Sequence, residues 1–93
     1  MQSVKIYQLK KDKEYPYLFM NYYFANQHGF SLNDYELVYD TERYDDYNRS
    51  DAFYEFNMNR PEDFTGHSLS VSDIVEIDGY KYYCDDVGWR EVK

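Results

Sequence analysis

The sequence VSDIVEIDGYKYYC, residues 71–84, contains the clearest structural signal in the chain. Two runs rich in β-branched and aromatic residues flank an Asp-Gly pair at residues 78–79. This dipeptide favours the type I′ turn of a tight hairpin, in which both central residues have positive φ. The pattern therefore predicts strands over Val71–Ile77 and Tyr80–Cys84, joined by a two-residue turn.

A two-residue turn also determines which side chains face each other across the hairpin. Glu76 is then opposite Lys81, and opposite charges in that position stabilise antiparallel strands. Because side chains alternate between the two faces of a strand, one face is expected to form the core. The predicted pairs are Ile77–Tyr80, Glu76–Lys81, Val75–Tyr82 and Ile74–Tyr83, and the predicted core face consists of Val75, Ile77, Tyr80, Tyr82 and Cys84.

Three further strands are predicted outside the hairpin from alternating or β-rich runs. In the middle run, Tyr35, Leu37 and Tyr39 are expected to share one face. The segment that follows it, Asp40–Arg49, is polar and charged and predicts an exposed loop. The three strands are predicted at Ser3–Leu9, Tyr35–Tyr39 and Trp89–Val92.

Two helices are predicted, at Tyr17–His28 and Asp51–Asn57. Pro16 suits the first turn of the longer helix, and Gly29 is a candidate left-handed cap at its end. On that helix the expected buried face contains Leu18, Tyr22 and Ala25. For the shorter helix, Ser50 is the expected N-cap, and Phe53 and Phe56 are expected to point inward.

The length of 93 residues fits one domain, spanning residues 1–93. Aromatic residues make up 22% of the chain, which predicts a core built largely from rings. Together with the element order, this predicts an α+β fold. Its small antiparallel sheet ends in a C-terminal hairpin and meander, with one main helix and one short helix packed on it.

Several motifs in residues 59–92 resemble the YodL-like domain family. They are Arg60-Pro61, Asp63-Phe64, the run from Gly66 to Asp73 (GHSLSVSD), the Asp78-Gly79 turn and the run from Tyr82 to Asp85 (YYCD). Upstream, Tyr7–Lys10 and Tyr35–Tyr39 are also similar to the family. The resemblance implies a setting in bacterial mobile elements, a phage or conjugative element of a low-GC Gram-positive host. It implies no catalytic residues.

The charge of the chain is strongly uneven. Residues 1–13 carry four lysines and one aspartate, whereas the rest of the chain has a net charge of −11. A surface of that sign repels nucleic acids and anionic membranes and attracts basic proteins. We therefore expect neither a nucleic acid nor a membrane as a direct partner.

Residues 34–63 concentrate the acidic side chains and interleave them with tyrosines. Carboxylates can imitate phosphate oxygens, and tyrosine is a frequent anchor of protein interfaces. Taken singly these residues are typical of a solvated surface; taken together they predict a protein-binding patch. Its predicted members are Asp40, Glu42, Tyr44, Asp45, Asp46, Tyr47, Asp51, Tyr54, Glu55, Glu62 and Asp63.

Catalytic and metal chemistry find little support in the sequence. Cys84 is the single cysteine, and it has no neighbours at the paired spacings of a zinc site, so neither a metal nor another cofactor is expected. His67, with Ser68 or Ser70 and Asp73, could form a nucleophile set. The favoured interpretation is that these hydroxyls and Asp73 cap backbone groups where a strand begins.

The leading hypothesis is a non-enzymatic inhibitor of a host defence nuclease, an anti-CRISPR or antirestriction protein. It would act as a nucleic-acid mimic on a basic host protein such as a CRISPR effector. The alternative is a protein–protein scaffold or accessory module of conjugation or replication machinery. A hydrolase centred on His67 or Cys84 is the third possibility. The lone cysteine and an N-terminus without a signal-peptide pattern predict a cytoplasmic location.

Overall fold

The computed structural model describes residues 1–92, and Lys93 lies outside the described residues. Five antiparallel strands form one sheet in the order β2-β1-β3-β4-β5. The predicted α+β class with a C-terminal hairpin and meander is confirmed. The strands are β1 (Gln2–Leu9), β2 (Tyr35–Arg43), β3 (Ile74–Ile77), β4 (Tyr80–Cys84) and β5 (Trp89–Val92), and the helices are α1 (Tyr22–Gln27) and α2 (Arg49–Met58).

The β3–β4 hairpin has the register that the sequence predicts, pair for pair. Asp78 and Gly79 have φ angles of 50° and 88°, as a type I′ turn requires. Lys81 Nζ lies 3.1 Å from Glu76 Oε1 across the hairpin. The predicted start at Val71 is wrong, because Ser72 adopts a φ of 84° and the strand begins at Ile74.

Both faces of the sheet are buried, so the prediction of a single core face is wrong. All four residues of β3 are buried. Tyr83, on the face opposite to Val75, is fully buried, whereas Tyr80 on the predicted core face is exposed. A strand in the middle of a sheet that is covered on both sides loses the one-sided alternation of a half-solvated hairpin.

Two layers cover the sheet. On one face α2 and the segment after it supply Ala52, Phe56 and Phe64, which pack against Val4, Ile6 and Val75. On the other face the segment 10–34, which includes α1, supplies Tyr15, Tyr17 and Ala25 against Leu9, Ile74 and Tyr83. The alternation of β1 explains this arrangement, because neighbouring side chains in a strand point to opposite faces.

Strand β2 continues to Arg43, so the predicted exposed loop at Asp40–Arg49 is wrong for its first four residues. A bulge displaces the register of β2 against β1, with Ile6 opposite Tyr39 and Tyr7 opposite Leu37. The extra residue reverses the alternation beyond it. Tyr35 and Tyr39 therefore pack in different clusters, and Leu37 is exposed, which corrects the prediction of a shared face.

Helix α1 is half as long as predicted. It begins after Asn21, whose side chain accepts a hydrogen bond from the Phe24 N–H, and residues before it form turns. Leu18 is exposed, which corrects its predicted burial. Gly29 has a φ of 82°, and the Phe30 N–H donates to the Ala25 carbonyl. The predicted left-handed end of the helix is therefore present.

Helix α2 begins earlier than predicted and is capped by Asn48, not Ser50. Its buried side chains are Ala52 and Phe56, four residues apart. Phe53 is 44% exposed, so its predicted inward position is wrong. No helix within residues 1–92 has the length and apolar character needed to cross a membrane.

Candidate interaction surface at the second helix

The end of β2, the turn after it and one side of α2 border an open groove with a volume of about 300 Å³. We call it the α2 groove. Five of the predicted patch residues line it, together with Arg43 and Asn59. Those five are Tyr44, Tyr47, Asp51, Tyr54 and Glu55.

An ion pair forms the inner wall of the α2 groove. Arg43 donates from Nε and Nη2 to the two Glu55 oxygens at 3.1 and 2.6 Å. The Tyr47 hydroxyl donates to Glu55 Oε1 at 2.7 Å. Burial alone would raise the pKa of Glu55, but these hydrogen bonds and the Arg43 charge lower it. Glu55 is therefore a paired carboxylate and not a free negative charge.

Tyr47 has a structural role in the same wall. Its ring is buried in the cluster under α2, and burial and the bond to Glu55 raise the pKa of its hydroxyl. With 5% of its surface exposed, Tyr47 offers little contact area to a partner. The predicted patch therefore contains one tyrosine that belongs mainly to the core.

Asp51 also has an internal role. Its carboxylate accepts from the Asn48 N–H at 3.0 Å, while the Asp51 N–H donates to Asn48 Oδ1 at 3.1 Å. This reciprocal pair is a capping box that satisfies two free N–H groups at the start of α2. The carboxylate also lies near the positive end of the helix dipole, a position in which a negative charge stabilises the helix.

The outer rim of the α2 groove is aromatic and acidic. Tyr44 and Tyr54 are 55% and 64% exposed, and Met58 extends the apolar surface along α2. Asp45 and Asp46 are exposed in the turn beside Tyr44. Asp45 Oδ1 lies 2.8 Å from the N-terminal ammonium, and that contact lowers the pKa of Asp45. An exposed pair of this kind contributes little binding energy of its own.

The remaining predicted patch residues lie apart from the α2 groove. Asp40 and Glu42 are on the edge strand β2, with side chains on the sheet face opposite to Arg43. Asp63 accepts from the Tyr39 hydroxyl at 2.8 Å, and Glu62 is exposed beside it. The structure thus divides the predicted patch into a groove and scattered charges.

A protein-family model described as YodL-like domain matches residues 3–93 of this chain. The chain belongs to the YodL-like domain family. No curated protein and no solved structure matches this chain.

In this YodL-like domain, the family run Gly66–Asp73 folds into a hydrogen-bonded loop. Asp73 is fully buried; its Oδ2 accepts from the Ser70 N–H at 2.8 Å and from Gln8 Nε2 at 3.2 Å. A Cβ at Gly66 would collide with Gln8 Oε1, so a side chain there would force the Gln8 amide out of its hydrogen bonds to this loop. The run therefore joins the end of β1 to the start of β3.

The candidate nucleophiles of the YodL-like domain are poorly placed for attack. Cys84 is 3% exposed, and burial followed by the charges of Asp73 and Asp85 raises the pKa of its thiol to about 12. A buried thiol of that kind is protonated at neutral pH and unreactive. His67 Nε2 lies 3.8 Å from Asp73 Oδ1, beyond hydrogen-bond range. Burial raises the pKa of Asp73 to about 8. No group of three metal-ligating side chains occurs within residues 1–92.

Two features in and beside the α2 groove lie outside what the sequence predicts. Arg43 falls within the segment predicted as an exposed loop, whereas in the structure it neutralises Glu55, twelve residues away. Met58 was assigned no role, although it is exposed beside Tyr54. Spacing of four residues between Tyr54 and Met58 is a signal for a shared helix side. No local pattern indicates the Arg43–Glu55 pair.

Proposed function

We propose that this YodL-like domain is a non-enzymatic interaction protein that binds a basic protein surface through the α2 groove. We further propose that the partner is a host defence nuclease, a CRISPR effector or a restriction enzyme, whose nucleic-acid site is thereby occupied. The observation that carries the proposal is the pair of exposed tyrosines, Tyr44 and Tyr54, beside the carboxylates of Asp45 and Asp46.

This arrangement combines the two components of a tight interface. Tyrosine rings give large, stiff contact areas and are frequent binding hot spots. Carboxylates at the rim raise the association rate with a positively charged partner and oppose negatively charged ones. The Arg43–Glu55 pair and the capping box keep the groove rigid, which lowers the entropy cost of binding.

The choice of a nuclease follows from charge and setting. Nucleic-acid sites are the most basic surfaces that many proteins possess, and a chain with a net charge of −8 is attracted to them. The mobile-element setting that the family resemblance implies motivates a host defence enzyme as the target. The buried thiol of Cys84 supports a binding role over a catalytic one.

The test uses purified CRISPR effectors and restriction enzymes, with and without their nucleic acids, and measures complex formation at low and high salt. Asp45→Asn with Asp46→Asn removes two rim charges. Glu36→Gln with Glu91→Gln is the matched control, since both are exposed carboxylates away from the groove. We expect the first variant to associate about tenfold more slowly at low salt, whereas the control stays near the parent.

Tyr54→Ala tests the aromatic component separately and is expected to raise the dissociation rate. Equal losses for the two charge variants would show that net charge alone attracts the partner. Absence of any complex across the panel at low salt would refute the nuclease as target.

A second candidate function is a scaffold or accessory module of conjugation or replication machinery. Strand β5 is a free edge of the sheet, and Tyr80 beside it is exposed. Edge strands can pair with a strand of another protein. Binding by that route would survive Asp45→Asn with Asp46→Asn, which lie away from β5.

A further inference from the structure

A second cavity lies at the C-terminal end of β1. Its charged side chains are mainly basic, whereas the rim of the α2 groove is acidic. It has a volume of about 220 Å³ and a mainly apolar wall. The apolar part comes from Leu9, Tyr15, Leu18 and Phe19. Lys10, Lys11, Lys13, Glu14 and His67 complete the lining. We call it the lysine pocket.

The lysine pocket concentrates positive charge in an acidic protein. Three of the ten basic side chains of the chain line it, against one glutamate. Lys13 Nζ also lies 5.1 Å from the Tyr15 ring centroid, which places a cation over the aromatic wall. A negatively charged ligand is therefore attracted here and repelled by most of the remaining surface.

The backbone that forms one wall is held in an unfavourable conformation. Phe19 has a φ of 64°, and a bulky side chain at positive φ is strained. The Phe19 N–H donates to Ser72 Oγ at 3.0 Å, and Ser72 is buried with a φ of 84°. This turn leaves Phe19 56% exposed with Leu18 and Met20 also exposed. Strained backbone positions are frequent at ligand-contacting sites.

The size of the cavity indicates what it can hold. Pockets for small organic ligands commonly measure about 300–1,000 Å³, so the lysine pocket is below that range. One large apolar side chain of a peptide ligand is a better match for this volume. The residues on either side of it in the peptide would then lie against the lysines. We propose that the lysine pocket binds a large apolar side chain within an acidic peptide segment of a second partner protein.

The two surfaces are far enough apart to be occupied together. Arg43 lines the α2 groove and is the β2 residue opposite Gln2, at the start of β1. Leu9, at the end of β1, lines the lysine pocket. Seven residue steps of a strand separate the two ends by about 23 Å. The domain would then join a basic protein at one end to an acidic segment at the other.

Fluorescently labelled peptides test the proposal with the full chain. The probe is a nonapeptide with one central Trp flanked by Asp and Glu, and its controls carry Ala at the centre or Lys in the flanks. We expect only the first to bind, with affinity falling as salt rises. In ¹⁵N spectra, its shifts should concentrate at the amides of Leu18, Phe19 and His67.

Two variants locate the site. Lys11→Glu is expected to lower the affinity for the acidic Trp peptide about fivefold. Arg60 is an exposed cation outside the pocket, and Arg60→Glu should change this affinity less than about twofold. Phe19→Gly removes the ring and also relieves the positive φ. We expect it to weaken binding about tenfold while the thermal midpoint stays close to that of the parent.

Three results would overturn the proposal. They are equal binding of the Ala-centred peptide, equal losses for Lys11→Glu and Arg60→Glu, and no binding of the Trp peptide at about 1 mM. Asp45→Asn with Asp46→Asn should leave peptide binding unchanged. The lysine pocket is therefore tested independently of the α2 groove.

Discussion

The β3–β4 hairpin and the segment 10–34 both supply buried side chains to the core but obtain their conformations differently. The hairpin follows from its own residues, since the Asp78-Gly79 turn and the alternation of side chains determine the register. The segment 10–34 has a helical pattern over Tyr17–His28, yet a helix forms in only its second half. Local signals were sufficient for one region and misleading for the other.

The difference lies in where the backbone groups of each region find partners. In the hairpin they pair within the sheet. In the segment 10–34, the Tyr22 N–H donates to Asp85 Oδ1 at 3.1 Å, and the Met20 carbonyl accepts from the Tyr83 hydroxyl at 2.8 Å. The Phe19 N–H bonds to Ser72 Oγ. These three bonds link positions more than fifty residues apart, and their sum outweighs a weak helix propensity.

The largest expected effect comes from Tyr83, where the two regions meet. Tyr83→Ala removes a fully buried ring whose centroid lies 5.0 Å from that of Tyr22 and 5.6 Å from that of Phe30. We expect a loss of about 3–5 kcal/mol in the free energy of unfolding, because a large cavity remains. Tyr83→Phe is the control and removes only the bond to Met20, for about 1 kcal/mol. Denaturant titration measures both.

Hydrogen exchange adds a regional readout to the Tyr83→Phe variant. Protection should fall first in the segment 10–34 and remain in β3 and β4, since only the segment depends on that hydroxyl. Uniform loss of protection would show that the two regions unfold as one unit and would contradict the distinction drawn above.

Asp85 is expected to give an intermediate effect. Its carboxylate accepts from the N–H groups of Tyr22 and Asp86 and from Arg90 Nε at 3.2 Å. Asp85→Ala leaves the Tyr22 N–H without its partner, which costs about 1–3 kcal/mol. Asp85→Asn keeps one acceptor oxygen and should cost less. Thermal denaturation of the two variants separates the hydrogen bond from the charge.

The same residue predicts a pH dependence. Burial would raise the pKa of Asp85, but its hydrogen bonds lower it below 3.8. Its stabilising contribution is therefore present above that value and is lost as the pH falls through the lower folded-state pKa. The difference in free energy of unfolding between the parent and Asp85→Ala should therefore shrink in strong acid. A gap that widened there would contradict the assignment.

The smallest expected effects come from a matched pair of glycines, one in each region. Gly79 ends the hairpin turn at a φ of 88°, and Gly29 ends α1 at 82°. A Cβ would meet nothing within 4 Å at either position, so only backbone strain is added. Gly79→Ala and Gly29→Ala should each cost about 1 kcal/mol.

The two glycine variants are expected to lose similar stability but to differ in their folding and unfolding rates. If the hairpin forms early from local signals, Gly79→Ala slows folding, whereas Gly29→Ala mainly speeds unfolding. Stopped-flow measurements distinguish these outcomes. Identical changes in both rates would place the two turns in the same folding step.

The candidate site was predicted in part. Composition located an acidic and aromatic region, and five of its residues do line the α2 groove. The prediction treated each carboxylate as free, whereas Glu55 is paired with Arg43 and Asp51 caps α2. The net charge of a segment can be read from its letters, but the pairing of those charges depends on a fold that brings distant residues within 4 Å.

The amino-acid sequence by itself determined the α+β class, the register of the β3–β4 hairpin, the bounds of β5 and the family. The register and the strand bounds depend on residues close in sequence, through turn geometry and the alternation of side chains. The family was recognised from short sequence motifs. The length of α1, the bulge in β2 and the burial of both sheet faces arose in the folded chain. The length of α1 depends on hydrogen bonds to Asp85, Tyr83 and Ser72, which lie more than fifty residues further along the chain. The burial of both sheet faces depends on packing from two sides, which no local pattern specifies.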